Sequence, residues 1–330
     1  MLERVGGPIG VKGQAHDLGA ERVAGGQRCG APSPGARLSP CCRRFHDRGM
    51  TRKTTGRTPF DEIYDRPDPR AFFSDLGRFG YQTPHHAQPV FRGLVAARAR
   101  SGPVTVVDLC CSYGINAALL NHRLTFEDLH AHYTAPEVTE LETAELVEYD
   151  KDFYAARRRA DAVPVIGVDI AAPAIDYALA AGLLDAGFAE NLETGAASEG
   201  LLRAVRTASL ITVTGGASFL GPRTFHQLLR ASSTLPWVAA FVLRTGSYQP
   251  IATTLAEHGL TTSADTERTF VQRRFTDADE QRYAIAAVTA AGADPAGKEA
   301  EGSYHTALYL SQPQQGLAPT SPATPDEAPR

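Results

Sequence analysis

The sequence predicts an α/β fold, a doubly wound and mostly parallel sheet that finishes in a C-terminal antiparallel hairpin. Apolar runs of strand length alternate along the chain with amphipathic segments of helix length. The first four runs are almost continuously apolar, which is typical of strands that helices cover on both faces. Only "TDADEQR" joins the last two runs, and a crossover helix needs a longer connection, so these two strands are expected to be antiparallel.

Each element follows from this alternation. Helices are predicted at "NAALLNHRL", "APAIDYALAAGLL", "RTFHQLLRAS" and "PIATTLAEHG", which lie between apolar runs. A short third strand is predicted in "GFAENLE". The six other predicted strands are residues 104–109, 163–170, 210–216, 237–245, 269–275 and 283–291.

The domain organisation is one folded domain, 59–310, between two tails. Residues 1–58 are rich in Gly, Pro and Arg without a sustained period, which predicts a disordered basic tail, and 311–330 predict a second tail by the same test. Order begins just after Met50, so Met50 is a second candidate for the true start. About 60 residues separate Asp108 from Asp169, whereas a βαβ unit needs about 30. The extra residues, 121–160, have a helical pattern and predict a cap over the active site.

Charge and cysteine content narrow the class of protein. Residues 1–58 hold 11 Lys and Arg against 4 Asp and Glu, and the rest of the chain holds 22 against 33. An acidic body argues against a nucleic-acid groove. The five cysteines include no C-x-x-C pair, so neither a disulfide framework nor a zinc site is predicted. No apolar run approaches the roughly 20 residues that span a membrane, so a cytoplasmic protein is expected.

Two acids follow neighbouring strands of the predicted sheet. Asp108 ends the first strand ahead of the turn at Gly114, and Asp169 ends the next strand. Ligands of doubly wound sheets bind beyond the carboxyl ends of the strands, where a carboxylate can accept hydrogen bonds from the hydroxyls of a ribose. Each acid alone is equally compatible with capping a helix. The pair favours a ligand site.

The stretch "DLCCSYG" resembles the first motif of the class I S-adenosylmethionine-dependent methyltransferases, acid-x-G-x-G-x-G. It matches at Asp108 and Gly114, while Cys110 and Ser112 stand at the two earlier glycines. Dinucleotide enzymes need those glycines to seat a pyrophosphate. S-adenosylmethionine has no phosphate, so small side chains in the turn favour this cofactor over NAD.

The resemblance covers roughly residues 100–291 and implies a set of cofactor contacts. It places the ribose at Asp169 and the adenine near the loop after the third strand, and it likens "LITVTGG" to the fourth-strand motif of the family. The residues that it implies for binding S-adenosylmethionine are Asp108, Cys110, Ser112, Gly114, Asp169, Ile170, Glu190, Asn191 and Thr214.

Candidates for contact with the methyl acceptor lie in other segments. The segment before the first strand carries Tyr81, His85 and His86, and the helix after the fourth strand carries His226. These are the candidate general bases if the acceptor must lose a proton. A surface position is the alternative for each histidine.

No metal site is predicted. His130 and His132 stand in an H-x-H pattern with His122 nearby, but this spacing on a helix directs the two rings to different sides. We expect these histidines to be partly exposed.

The predicted function is methyl transfer from S-adenosylmethionine to a small-molecule acceptor, in specialised metabolism as a narrower hypothesis. Two alternatives remain open at this point. One is an NAD(P)-dependent Rossmann enzyme, and the other is a non-catalytic binding protein with a methyltransferase-like fold.

Overall fold

The computed structural model describes residues 56–313, apart from the side chains of Thr266 and Glu267. Of the two predicted tails, only residues 56–58 and 311–313 fall within this range. A seven-stranded sheet forms the centre, in the order β3-β2-β1-β4-β5-β7-β6. The strands are β1 Val106–Leu109, β2 Val165–Asp169, β3 Ala186–Ala189, β4 Leu210–Thr214, β5 Trp237–Leu243, β6 Leu260–Arg274 and β7 Ser303–Pro313.

Eleven α-helices are found in the described residues. They are α1 Arg70–Gly77, α2 Thr83–Ala99, α3 Ile115–Asn121, α4 Phe126–Thr134, α5 Pro136–Thr139, α6 Thr143–Ala155, α7 Ala172–Ala180, α8 Glu199–Ala204, α9 Pro222–Ala231, α10 Gln249–Glu257 and α11 Ala278–Ala290. None of them is both long and apolar enough to cross a membrane.

The first five strands are parallel, which confirms the predicted fold class. Strand β1 lies between β2 and β4, with Val107 opposite Ile166 on one side and Ile211 on the other. Every residue of β1 is buried because helices cover both faces of the sheet. The chain winds outward in both directions from β1. The carboxyl ends of β1, β2 and β4 therefore meet at one crevice.

The antiparallel finish is present, but its second strand was predicted at the wrong place. Residues 283–291 belong to α11, and the strand that pairs with both β5 and β6 is β7. The side chain of Asp277 accepts a hydrogen bond from the backbone of Glu280 and caps the helix. Glu280, Ala284 and Val288 are buried at helical spacing. The alternation in "YAIAAVTAA" thus comes from an alanine-rich helix with one buried face.

Two apolar layers flank the sheet. One contains Phe73, Phe91 and Phe241 beneath the helices on one face, and the other contains Phe225 and Leu255 beneath α9 and α10. Burial of side chains of this size contributes roughly 1.5–3 kcal/mol each. Both faces of the parallel strands therefore belong to the core, as their unbroken apolar sequences predict.

The insertion 121–160 is helical, as predicted, and carries a buried polar network. The Asp150 carboxylate accepts hydrogen bonds from the Tyr133 hydroxyl at 2.7 Å and from the Tyr177 hydroxyl of α7, and lies 2.6 Å from His132 Nε2. His122 and His132 are buried, so the expectation that they are partly exposed is wrong. Satisfied polar groups in a low-dielectric core hold one another strongly, and this network joins the insertion to α7.

A buried ion pair anchors the N-terminal segment. Arg273 donates two hydrogen bonds to Glu280, whose carboxylate also accepts from the backbone N–H of Thr58 at 2.9 Å. Burial alone would raise the pKa of Glu280, but these hydrogen bonds outweigh it and hold the pKa at about 2. The predicted boundary at residue 59 thus falls just after an anchored residue. At the other end β7 continues to Pro313, beyond the predicted boundary at 310.

Candidate functional site

The turn after β1 keeps the left-handed backbone of a glycine motif although two of its positions are not glycine. The φ angles are 53° at Cys110, 51° at Ser112 and 74° at Gly114. Left-handed backbone costs a side-chain-bearing residue about 1–2 kcal/mol, and such strain persists only where surrounding contacts impose it. The turn therefore has the same shape that glycines adopt, and it is held there by its neighbours.

Close packing explains why glycine stands at two positions in and beside the turn, Gly114 and Gly216. A Cβ at Gly114 would lie 3.2 Å from the Cβ atoms of Ala178 and Leu183, so a side chain there would press on α7 and the residues after it. A Cβ at Gly216 would lie 2.5 Å from the Cys110 sulfur. The Cys110 side chain thus occupies space that glycine leaves after β4.

Asp169 holds the turn from the neighbouring strand. Its Oδ2 accepts the backbone N–H of Ser112 at 2.8 Å, and its Oδ1 accepts that of Ala171 at 3.0 Å. Asp169 remains partly exposed, so each oxygen keeps acceptor capacity for a ligand. Ile170, the next residue, is 70% exposed and offers an apolar surface beside the carboxylate.

Asp108 lies below the turn and is 1% exposed. Its oxygens accept from the Thr212 hydroxyl at 2.7 Å and from Asn116 Nδ2 at 3.1 Å, and Asn116 also donates to the Thr214 hydroxyl oxygen. Burial, opposed by these hydrogen bonds and assisted by the nearby charge of Asp169, raises the pKa of Asp108 to about 7. The structure thus places Asp108 and Thr214 in a network that supports the turn, and the ligand contact predicted for them stays a prediction.

The N-terminal segment passes over the same crevice. The Tyr113 hydroxyl donates to the backbone oxygens of Ile63 at 2.7 Å and Arg66 at 2.9 Å, which ties this segment to the turn. Between those two contacts lies Tyr64, and burial, then the neighbouring Tyr81 and Asp169, raise its pKa well above the usual range.

Tyr81 approaches the end of β4, and its predicted contact with the substrate stays a prediction. A Cβ at Gly215 would lie 2.7 Å from the Tyr81 hydroxyl oxygen, so only glycine permits this approach. Burial raises the pKa of Tyr81 to about 12. Its hydroxyl is therefore protonated at neutral pH and acts as a hydrogen-bond donor.

His85 and His86 follow in the first turn of α2. The His86 ring lies 5.4 Å from the ring of Phe270 on β6, whereas His85 is exposed. Burial, then the charges of His85 and Arg268, lower the pKa of His86, so its imidazole is neutral at pH 7. The His86 Nε2 atom is buried without a hydrogen-bond partner among the described residues.

The loop after β3 uses its two predicted adenine contacts to hold its own backbone. Glu190 accepts from the backbone and the hydroxyl of Ser198, the residue that caps α8. Asn191 Oδ1 accepts from the backbone of Glu193 and Thr194. Both side chains shape the loop, and their predicted role toward adenine stays a prediction.

His226 is not brought to the crevice by any of its contacts. It lies on the exposed side of α9, with its Nδ1 atom 3.1 Å from Nε2 of His258 at the end of α10. This surface pair corresponds to the alternative weighed for His226 from the sequence. Within residues 56–313, no group of three or more His, Cys, Asp or Glu side chains is placed to hold a metal ion.

Three functional candidates were missed from the sequence: Tyr64, Asn116 and Thr212. Asn116 follows Asp108 by eight residues, and Thr212 is a polar residue in an apolar strand, which was an available signal for a buried partner. Tyr64 carried no local signal because only the docking of the N-terminal segment brings it over Asp169.

Strand β7 lies antiparallel between β5 and β6, so the described sheet is mostly parallel with an antiparallel finish. No protein-family model matches the chain, and no curated protein matches it. Among solved structures, the chain is similar to magnesium protoporphyrin IX methyltransferase (ChlM) from Synechocystis PCC 6803 with bound S-adenosylmethionine, at 10% identity and a TM-score of 0.35. That alignment covers 73% of this chain and 84% of the other.

Two further solved structures are S-adenosylmethionine-dependent methyltransferases in complex with S-adenosylhomocysteine. The one from Geobacter sulfurreducens is 12% identical with a TM-score of 0.34, over 75% of this chain and 99% of the other. The one from Thiobacillus denitrificans is 10% identical with a TM-score of 0.35, over 78% of this chain and all of the other, 100%. Similarity at this level adds no argument about the ligand or the reaction of this chain.

Proposed function

We propose that the crevice binds S-adenosylmethionine and that the protein transfers its methyl group to a small-molecule acceptor. The observation that carries this proposal is the partly exposed carboxylate of Asp169, which is bonded to the strained turn after β1. An acid in this position, at the point where the strand order reverses, is suited to the two hydroxyls of a ribose.

The turn fits a ligand without phosphates. Cys110 and Ser112 carry side chains at two left-handed positions where a pyrophosphate loop has glycine. The Ser112 hydroxyl is buried and has no hydrogen-bond partner among the described residues. An unpaired buried hydroxyl costs about 1–3 kcal/mol, so a polar group of the ligand would find a partner there.

The protein's contribution to the reaction is positioning and proton control. The bound cofactor supplies an activated methyl group, which needs an aligned acceptor and little further chemistry. Alignment of two reactants contributes several kcal/mol. The protonated Tyr81 hydroxyl at the end of β4 is available to donate to the acceptor, and His86, whose pKa is lowered, is the better candidate base where the acceptor must lose a proton.

The narrower hypothesis, an acceptor from specialised metabolism, is tested only by finding the acceptor.

The identity of the cofactor is tested first. S-adenosylmethionine and S-adenosylhomocysteine are expected to raise the unfolding temperature and to bind in titration calorimetry, whereas NAD and NADP have no effect. A ligand at 100 times its Kd stabilises a protein by about 2.7 kcal/mol, which is easily detected.

Two results would contradict parts of this proposal. Binding of the nicotinamide cofactors but not of the adenosyl compounds would identify a dinucleotide enzyme. The protein could instead bind S-adenosylmethionine and release no S-adenosylhomocysteine with any acceptor tried, including the small molecules that co-purify with the protein. That result would identify a binding protein with this fold.

A further inference from the structure

A cavity of about 1350 Å³ lies away from the crevice, between α10 and the C-terminal strands. Its floor includes residues of β6 and β7, and its walls are α10, the chain at 243–249 and the chain at 291–298. None of the crevice residues described above lines it. Ligand pockets are typically 300–1,000 Å³, so this cavity has room for a ligand of at least two fused rings.

Aromatic side chains form one part of the lining. The rings of Tyr248 and Tyr309 lie 4.5 Å apart between centroids, and Tyr309 is only half-buried. Small residues such as Ala252, Ala256 and Gly246 line the same cavity and leave these rings unobstructed by long side chains. A flat aromatic ligand would extend the pair by offset or edge-to-face contact, which contributes about 0.5–1.5 kcal/mol beyond its buried area.

The Tyr248 hydroxyl is buried beside the Ser311 hydroxyl. Tyr248 is 2% exposed, and its hydroxyl has no hydrogen-bond partner among the described residues. The nearby hydroxyl of Ser311 is engaged with that of Thr262 at 2.7 Å. Burial raises the pKa of Tyr248 above its usual range, and the neighbouring Ser311 hydroxyl opposes that rise, so the Tyr248 hydroxyl lies within reach of Ser311 and stays protonated.

Among the described residues, two charged groups of the lining form no ion pair, the Lys298 ammonium and the Asp294 carboxylate. Arg244 is bonded to the Glu299 carboxylate and to the backbone oxygen of Asp294. The Asp294 carboxylate accepts from the backbone of Ala296. Lys298 is half-buried and forms no ion pair within the described part of the chain.

The same two cations act on a neighbouring histidine, His305 of β7. Burial, followed by the charges of Arg244 and Lys298, lowers the pKa of His305 to about 4. A half-buried ammonium without a counter-ion favours an anionic ligand.

We propose that this cavity binds an aromatic carboxylic acid, with its ring system against Tyr309 and its carboxylate at Lys298. This site is separate from the proposed cofactor crevice and does not depend on the proposed methyl transfer. A regulatory ligand or an extended acceptor would both satisfy this chemistry, and the shared feature is the acidic aromatic group.

The experiment compares 2-naphthoate with its neutral counterpart 2-naphthamide by titration calorimetry on the full chain, with S-adenosylhomocysteine at saturation. The wild type is expected to bind the acid at least about tenfold more tightly than the amide, a difference of about 1.4 kcal/mol. Lys298→Met should weaken the binding of 2-naphthoate about tenfold and leave the binding of 2-naphthamide unchanged. The matched control is Lys151→Met, since Lys151 is exposed and paired with Glu148.

A second variant tests the location. Ala252 lines the cavity from α10, so Ala252→Phe should fill part of the cavity and weaken the binding of both probes. The control is Ala131→Phe at an exposed position of α4, which should leave the binding of both probes unchanged. Unfolding temperatures of all variants establish that they fold. Three results would each overturn the proposal. The wild type could bind 2-naphthoate and 2-naphthamide equally, Lys298→Met could bind 2-naphthoate as tightly as wild type does, or S-adenosylhomocysteine could displace 2-naphthoate. The first two outcomes do not bear on whether the crevice binds the adenosyl cofactor, whereas displacement would mean that both compounds compete for one site.

Discussion

Removal of the Asp169 carboxylate is expected to abolish recognition of the ribose hydroxyls. Each carboxylate oxygen already accepts one backbone N–H, from Ser112 and from Ala171, and a carboxylate has about four acceptor sites. Two sites therefore remain for the two hydroxyls. Hydrogen bonds to a charged group contribute about 1.5–3 kcal/mol each, and water replaces part of that when they are lost. A net loss of at least about 1.4 kcal/mol, or tenfold in Kd, is expected.

The assay must separate the lost contact from a loosened turn. Asp169→Ala also releases the backbone of Ser112, so weaker binding by itself would not distinguish the two causes. Calorimetry with S-adenosylhomocysteine and its 2′,3′-dideoxy analogue, on wild type and variant, forms a cycle that isolates the contact. The wild type should favour the natural ligand at least about tenfold, and Asp169→Ala should bind the two ligands within about twofold of each other.

A matched control lies at the opposite end of β2. The Asp185 carboxylate accepts the backbone N–H of Val165 at 2.8 Å, so Asp185→Ala also removes an acid that holds a strand terminus. It should leave the preference for the natural ligand unchanged. If Asp169→Ala still favours the ribose hydroxyls tenfold, the carboxylate does not contact them, and the assignment of the ribose to Asp169 is wrong.

Two further predictions concern the turn and the acid beneath it. Ser112→Gly should weaken S-adenosylhomocysteine binding by up to about tenfold, because it removes the hydroxyl proposed to meet a polar group of the ligand. It should also raise the free energy of unfolding by up to about 1 kcal/mol, because relief of left-handed strain exceeds the entropy that glycine costs, and a clear loss of stability in urea unfolding would contradict the strain. The folded-state pKa of Asp108, about 7, lies above its ordinary 3.8, so its contribution to stability is complete below pH 4 and is lost as the pH rises through 7. Between pH 4 and pH 7 in urea titrations, the free energy of unfolding of wild type should therefore fall by up to about 1.4 kcal/mol per pH unit relative to that of Asp108→Asn. Parallel plots of the two unfolding free energies against pH would show that the carboxyl is ionised throughout.

The sequence was informative wherever the deciding interactions are local. Strand β1 could be predicted because burial on both faces requires consecutive apolar residues. Asp108 and Asp169 could be placed at the same edge because parallel strands end together. The helical insertion was recognisable from its pattern and from the length of chain between the two acids.

The local sequence pattern gave a wrong prediction where the same composition suits both a strand and a helix. Residues 283–291 alternate apolar and small side chains, which suits either a strand or one face of a helix. The helix forms because Asp277 caps it and because Glu280 pairs with Arg273 in the core. The antiparallel strand then comes from 303–313, where β5 and β6 both supply partners. These are contacts between residues far apart in the chain.

The same distinction applies to the site. The sequence by itself determined that a turn with small side chains and two acids would stand at the strand ends. Only the tertiary structure decided that Asp108 is enclosed by Asn116 and Thr212 while Asp169 stays accessible. Neighbouring strands and the segment that Tyr113 holds across the crevice set how far each carboxylate is from water. Burial depends on such distant contacts, and it is burial that separates an acid that supports the turn from one that can bind a ligand.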